Sequence, residues 1–175
     1  MNIKSIWDNM ISKTGFLYRE KRPVEGDVIV KMPHYRQNQT YTCGWVSALM
    51  CIHKFDPKFD GNRALKVFRP DREYGVSTTG MIRGMRKLGF VVSRIGHITF
   101  NEVKEAIENG WPIISLIRLN DEEYHWMVIV GVSKKYVHMH GHRDDTLSWK
   151  IFKKQDGGCI NIIVKGKREG NRHKG

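Results

Sequence analysis

The stretch Thr42-Cys43-Gly44-Trp45-Val46-Ser47-Ala48-Leu49-Met50-Cys51-Ile52 is apolar on almost every side. A helix without a polar stripe has to be buried all round, and a threonine at its head can cap the first free amides through its side-chain oxygen. The reading is a buried helix opened by Thr42, with a thiol in its first turn. Unpaired amides and the positive end of the helix dipole favour thiolate there. The Cys43 thiol is therefore expected to titrate below the ordinary cysteine value of about 8.5. The plain alternative is a small buried hydrophobe, as most intracellular cysteines are, so the neighbouring residues decide.

On the N-terminal side, Val28 to Met32 reads as a strand, preceded by a charged linker, Arg19 to Gly26, that contains Pro23 and Gly26. Earlier still, Ile3, Ile6, Trp7, Met10 and Ile11 recur at helical spacing and predict a short amphipathic helix that docks on the domain. On the C-terminal side come helices over Asn62 to Phe68 and Thr78 to Leu88, the second stopped by Gly89. A strand follows at Phe90 to Ile95. Thr99 and Glu102 form a capping box for a helix whose apolar stripe is Val103, Ala106 and Ile107 and which ends at Gly110. From Pro112 the period changes to two, with strands expected over Ile113 to Leu119, Trp126 to Val132, Tyr136 to His140, Trp149 to Phe152 and Cys159 to Val164. Helices first and antiparallel strands afterwards define an α+β fold. The expected organisation is an N-terminal helix and linker over 1–27, one domain over 28–165 and a basic disordered tail over 166–175.

A chain of 175 residues holds about one domain. Its 30 basic and 18 acidic residues give a net charge of +12, and a pI near 9.8 favours an acidic partner. The basic residues are scattered over Arg19 to Arg22, Arg83 to Lys87, Lys134, Lys135, Lys150 to Lys154 and the tail, without interleaved aromatics that would stack bases. A solvated basic face is thus the first expectation and an acidic protein partner the next, with nucleic acid a less favoured alternative that the net charge leaves open. Three cysteines, Cys43, Cys51 and Cys159, are an odd number in a chain too large to need disulfide staples, which points to a reducing compartment. Cys51 and Cys159 read as core. The N-terminus has no secretory signal pattern, and no apolar run, Trp126 to Val130 included, is nearly long enough to span a membrane. The expected location is the cytoplasm, with export as an effector without a cleaved signal left open.

Two residues change the standing of Cys43. Gln37, six residues before it in a polar extended segment, has a side-chain amide able to join the Cys43 backbone amide in holding an oxyanion. His125 opens the most apolar strand, where a general base is well placed. A glutamine on a loop, a cysteine at a helix start and a histidine at a strand start are the set that nucleophilic acyl transfer requires.

The run Met32-Pro33-His34-Tyr35-Arg36-Gln37, then five residues and Cys43-Gly44, resembles the start of papain-like cysteine peptidases of the bacteriocin-processing type, which cleave after double-glycine leaders and include stand-alone relatives. The likeness continues through Gly75 to Met81 with Leu88-Gly89-Phe90, through Thr99 to Ile107, through Gly110-Trp111-Pro112-Ile113-Ile114 and through His125 to Gly131, so that residues from about 28 to 142 follow the pattern in order. The resemblance implies a papain-like fold with a helical half followed by an antiparallel sheet. It implies Cys43 as nucleophile, His125 as general base and acid and Gln37 as oxyanion donor, acting on a protein or peptide substrate without metal or organic cofactor.

The third catalytic place departs from that family, which has an aspartate, usually followed by proline, at the end of the strand after the histidine strand. Here the place reads Tyr136-Val137-His138-Met139-His140-Gly141-His142. By offset from Gly131, His140 falls closest to the aspartate, with Asp144 as the alternative. An imidazole can orient a base through a hydrogen bond, but it adds no negative charge to stabilise imidazolium. The alternation of His138, His140 and His142 would put three imidazoles on one strand face, a zinc-like arrangement; without a carboxylate or a fourth ligand beside them, no metal site is assigned. Two readings follow. One is a cysteine peptidase-like acyl-transfer enzyme; the other is a catalytically weakened papain-like fold that binds or inhibits an acidic partner.

Overall fold

The computed structural model describes residues 27–35, 40–119, 123–141, 144–155 and 160–168. The expected N-terminal helix and linker, Gln37, His142, Cys159 and the tail beyond 168 lie outside them.

Five helices and seven strands make up the described chain. A two-residue strand β1 (Val28–Ile29) leads through a 3-10 turn (Thr40–Thr42) into α1 (Cys43–Phe55), followed by α2 (Gly61–Phe68), α3 (Thr78–Lys87), β2 (Phe90–Ile95) and α4 (Phe100–Glu108). Then come β3 (Ile113–Arg118), β4 (Tyr124–Val132), β5 (Tyr136–His140), β6 (Asp144–Ser148), α5 (Trp149–Gln155) and β7 (Asn161–Lys167). The sheet runs β2-β7-β3-β4-β5-β6, with β1 paired to β4, and every pairing is antiparallel. This is the α+β class that the helix-then-strand pattern implies.

Helix α1 is the centre of the core, with Cys43 through His53 all buried. It lies against β4, as does α4. Strand β4 is buried from His125 to Val132, which suits an apolar strand that has neighbours on both edges and helices over it. Beyond Ile129, where β3 ends its pairing, β1 takes over that edge of β4, with Val28 opposite Val132 and Ile29 opposite Gly131. The Thr99 and Glu102 capping box is formed as expected, both reciprocal bonds being present.

Four local expectations are corrected. Thr42 does not cap α1 through its side chain: it is itself helical, at φ −90° and ψ −8°, because a 3-10 turn extends the helix backward through it. Trp149 to Phe152 is helix rather than strand, since Trp149 and Phe152, three apart, turn the same way and their rings meet edge to face at 5.6 Å. The strand missed at Asp144–Ser148 is an edge strand with polar composition. The last strand runs on to Lys167 rather than ending at Val164, because Gly166, at φ +107°, stays in the strand against the Phe55 ring and Arg168 N–H then donates to Gly89 O.

Candidate active site

Sequence brings α1 onto β4 through the absence of a side chain. A Cβ at Gly44 would stand 2.8 Å from Val76 Cβ and 2.9 Å from Trp126 Cδ1, well inside ordinary carbon contact, so only glycine lets the indole lie on the helix start. Trp126 is then fixed from two sides: its Nε1–H donates to Val76 O at 2.8 Å, and its carbonyl accepts from Ser47 Oγ at 3.1 Å. Ser47 is fully buried and one turn along α1 from Cys43. Sequence reasoning missed Gly44, Ser47 and Trp126 as a unit; the signal available was a small polar residue four positions after Cys43 on an otherwise apolar helix.

The consequence is a close approach of Cys43 to the histidine strand. Cys43 is 5% exposed and His125 is 9% exposed. The backbone amides of Trp126, the residue bonded to His125, of Gly44 and of Cys43 itself lie beside the Cys43 sulfur. These donors favour thiolate. Burial outweighs them and pushes the Cys43 thiol up from its ordinary value, with the Glu123 carboxylate adding to the rise. The expected downward shift is thus reversed: helix-start amides are present, but they act in a site that has shed its water. Cys51 is fully buried, and burial pushes its thiol far up, which makes it an inert core residue as expected.

The segment before Gln37 is moored at several points. Val30 N–H donates to Val130 O at 2.6 Å. His34 Nε2–H donates to Gly141 O at 3.2 Å, and its ring lies 4.5 Å from that of His140. Tyr35 reaches the other way, its amide to Met50 Sδ at 3.3 Å and its hydroxyl to His53 Nδ1 at 2.6 Å.

Register assigns the strand faces near the third catalytic place. Partners directly opposite on antiparallel strands share a face, and successive residues alternate. Strand β4 pairs with β3 without a shift from Ile113 opposite Ile129 to Arg118 opposite Tyr124, so His125 and Met127 share one face and Trp126 and Val128 the other. His140 pairs with Val128 and therefore lies on the face opposite His125. Gly141 follows on the His125 face, and a Cβ added there would meet Met127 Cε at 2.7 Å. Asp144 stands opposite His140 on β6.

The two described histidines of the alternation, His138 and His140, have separate neighbours. His138 Nε2 faces Asp27 Oδ2 at 3.1 Å, and its Nδ1 lies 3.1 Å from Thr146 Oγ1. Gly131 makes this possible, since a Cβ there would meet His138 Cδ2 at 3.2 Å and Ile29 Cγ1 at 3.0 Å. Among the described residues no group of three His, Cys, Asp or Glu side chains is arranged to hold a metal ion, and no helix is long and apolar enough to cross a membrane.

Comparison with known proteins is consistent with this geometry. The model of the Peptidase_C39 like family matches residues 29–155. No curated protein matches the chain by sequence. Among solved structures, a double glycine motif protease from an AMS/PCAT transporter in complex with its leader peptide is 18% identical, with a TM-score of 0.63 over 79% of this chain and 94% of that one. The peptidase domain of Streptococcus ComA, a bi-functional ABC transporter of a quorum sensing pathway, is 15% identical, with a TM-score of 0.64 over 79% of this chain and 99% of that one. A C39-like peptidase from Bacillus anthracis is 14% identical, with a TM-score of 0.62 over 81% and 99%. The fold is that of the papain-like C39 peptidases, and with most of its length matched by the family model, the chain belongs to the Peptidase_C39 like family.

Proposed function

We propose that the protein is a cysteine peptidase-like acyl-transfer enzyme that cleaves a peptide or amide bond, with Cys43 as nucleophile, His125 as general base and acid and Gln37 as oxyanion donor. The observation that carries the reading is the packing of α1, headed by the buried Cys43, on β4, which carries the buried His125, with the Trp126 backbone beside the sulfur. Transfer of the thiol proton to His125 gives a thiolate and imidazolium pair that shields both charges in a buried site. The sulfur attacks the carbonyl carbon, and the oxyanion is held by Gln37 and the Cys43 amide. Collapse breaks the C–N bond as His125 gives its proton to the leaving amine, and water then hydrolyses the thioester to an acid, restoring the thiol.

In this reading the third place falls to Gly141 rather than His140, on the strength of the register, and His125 has no carboxylate from that position to stabilise imidazolium. That vacancy favours the second reading, a binding protein on a peptidase fold with an acidic partner. One experiment separates them. Peptides carrying a Gly-Gly junction, the type of site named for the transporter protease, are incubated with the wild type, Cys43→Ala, His125→Ala and Gln37→Ala proteins, and products are read by mass spectrometry. The enzyme reading expects cleavage in the wild type, none in the first two variants and turnover lowered by about ten- to a thousand-fold in the third. Stoichiometric peptide binding without cleavage, unchanged by Cys43→Ala, would move the assignment to the binding protein.

A further inference from the structure

We propose that Leu119 and Glu123 form the subsite for the residue on the leaving-amine side of the scissile bond, and that the side chain it takes is lysine or arginine, an aliphatic stem with a cationic head, a proposal that rests on the acyl-transfer reading of Cys43 and His125.

The Trp126 backbone turns toward α1, its carbonyl on Ser47 Oγ and its amide beside the Cys43 sulfur, so the head of α1 sits along β4 at the level of His125. Proton transfer from His125 to the leaving nitrogen needs the two within about 2.6–3.2 Å, which puts the residue carrying that nitrogen over the His125 face of β4. That face is closed in one direction. The rungs that follow His125 there are Met127 opposite Ser115 and Ile129 opposite Ile113, all buried, with Gly141 against Met127. In the other direction it opens. Ile117 pairs with His125, and the Leu119 amide donates to Glu123 O at 2.9 Å, which carries the same ladder on by two residues and places Leu119 and Glu123 on the His125 face. Ile117 is fully buried, whereas Leu119 is 45% exposed and Glu123 is exposed beside it. Two residues of strand are about 7 Å, within the reach of one long substrate side chain.

The two side chains select different parts of a ligand. Leu119 offers apolar surface for methylene groups to cover. Glu123 is a carboxylate in a chain whose net charge is +12, so it stands against the general field and sets a local preference for a cation. It is close enough to the sulfur to add to the rise of the Cys43 thiol, and so overlooks the cleft rather than the outer surface. A carboxylate there opposes the thiolate, and a substrate cation paired with it offsets that opposition once the substrate is bound. Lysine and arginine meet both demands, because they lay an aliphatic stem on apolar surface while the charged head reaches a carboxylate.

Peptides that differ only in the residue after a Gly-Gly junction, Lys, Leu, Ala or Glu, are compared by kcat/KM with the full chain. The expected wild-type order is Lys over Leu by about three- to fivefold, the strength of an exposed ion pair, then Leu over Ala by about three- to tenfold, with Glu last. Glu123→Gln should abolish the preference for Lys over Leu, and Glu123→Lys should turn it into a preference for Glu. Glu105→Lys, the same charge change at an exposed position of α4, should leave the wild-type order. Leu119→Ser should bring the Lys and Leu peptides alike down toward Ala. Each preference is a ratio within one protein, so any effect of the lost carboxylate on the Cys43 thiol or on folding cancels. The proposal is overturned if the Lys to Leu ratio survives Glu123→Gln, if Glu105→Lys changes it equally, or if the Glu123 variants respond to Lys placed before the Gly-Gly pair rather than after it, which would put the subsite on the acyl side. A wild-type protein that is alkylated at Cys43 yet cleaves no peptide overturns the acyl-transfer reading itself, and the proposal with it.

Discussion

Replacing Gly44 by alanine tests the link between packing and chemistry. The added methyl would stand 2.8 Å from Val76 Cβ and 2.9 Å from Trp126 Cδ1, whereas carbon atoms settle at about 3.5 to 4.0 Å. Neither neighbour can yield easily, since the indole is held by its bond to Val76 O and Val76 is buried. Overpacking of this kind costs about 1–3 kcal/mol, and forcing the indole off the carbonyl adds about 1–3 kcal/mol for the buried groups left unpaired. Alanine returns about 0.5–1 kcal/mol through its better helix propensity. The net expectation is a loss of about 2–4 kcal/mol, or a Tm lower by about 5–15 °C at this chain length. Displacing Trp126 also withdraws its amide from the Cys43 sulfur, so alkylation of Cys43 in the still-folded protein should slow. Gly84→Ala is the control: its methyl would strike the Phe68 ring between α3 and α2, which should lower Tm without touching Cys43 labelling. Thermal unfolding followed by circular dichroism and peptide-mapped alkylation give both quantities. A Gly44→Ala protein within about 2 °C of wild type, or one that loses stability while Cys43 labels at the wild-type rate, would refute the argument.

Three further outcomes are expected. Glu123→Gln removes a carboxylate that raises the Cys43 thiol, so its alkylation profile should move to lower pH; no movement, or movement to higher pH, counts against a carboxylate at the site. Gly141→Asp supplies a carboxylate on the His125 face once the flexible end of Met127 gives way, and should raise kcat about tenfold or more, whereas His140→Asp should not; the reverse order would return His140 to the third place. The Thr99 bonds hold the Glu102 carboxyl below the usual glutamate range, so the capping box stabilises above the unfolded value of about 4.3 and loses that contribution as pH falls through the folded one. Thr99→Ala should therefore cost about 1 kcal/mol at pH 7, with the gap to wild type narrowing in acid, as urea titrations at the two pH values will report.

The fold was legible where one signal sufficed. The all-apolar face of α1, the Thr99 and Glu102 pair and the period-two strands each depend on local chemistry, and each is present. Trp149 to Phe152 deceived because four residues cannot distinguish a period of two from a period near four; the helix follows from long-range docking, with Trp149 Nε1–H on Ser133 O and its ring against Phe100. The face on which His140 lies was hidden for a different reason. Counting from Gly131 assumes an unbroken pairing, yet the ladder between β4 and β5 shifts between Ile129 and Gly131. One extra residue on a strand exchanges its two faces, and that exchange takes His140 away from His125 and brings Gly141 round. Likewise the rise of the Cys43 thiol depends on how deeply the helix start is covered, which only the packed structure shows.

Helix α1, buried from Cys43 to His53, has a bearing on how the protein would lose its site. An element with no solvent face has no route to fray on its own, because exposing any part of it strips apolar surface from the whole core. Its amide protons should therefore exchange with deuterium only through global opening, and should be among the slowest in the molecule. Heating would then not produce a partly active form with a loosened nucleophile: Cys43 labelling by a bulky thiol reagent, amide exchange in α1 and the main unfolding transition should share one midpoint.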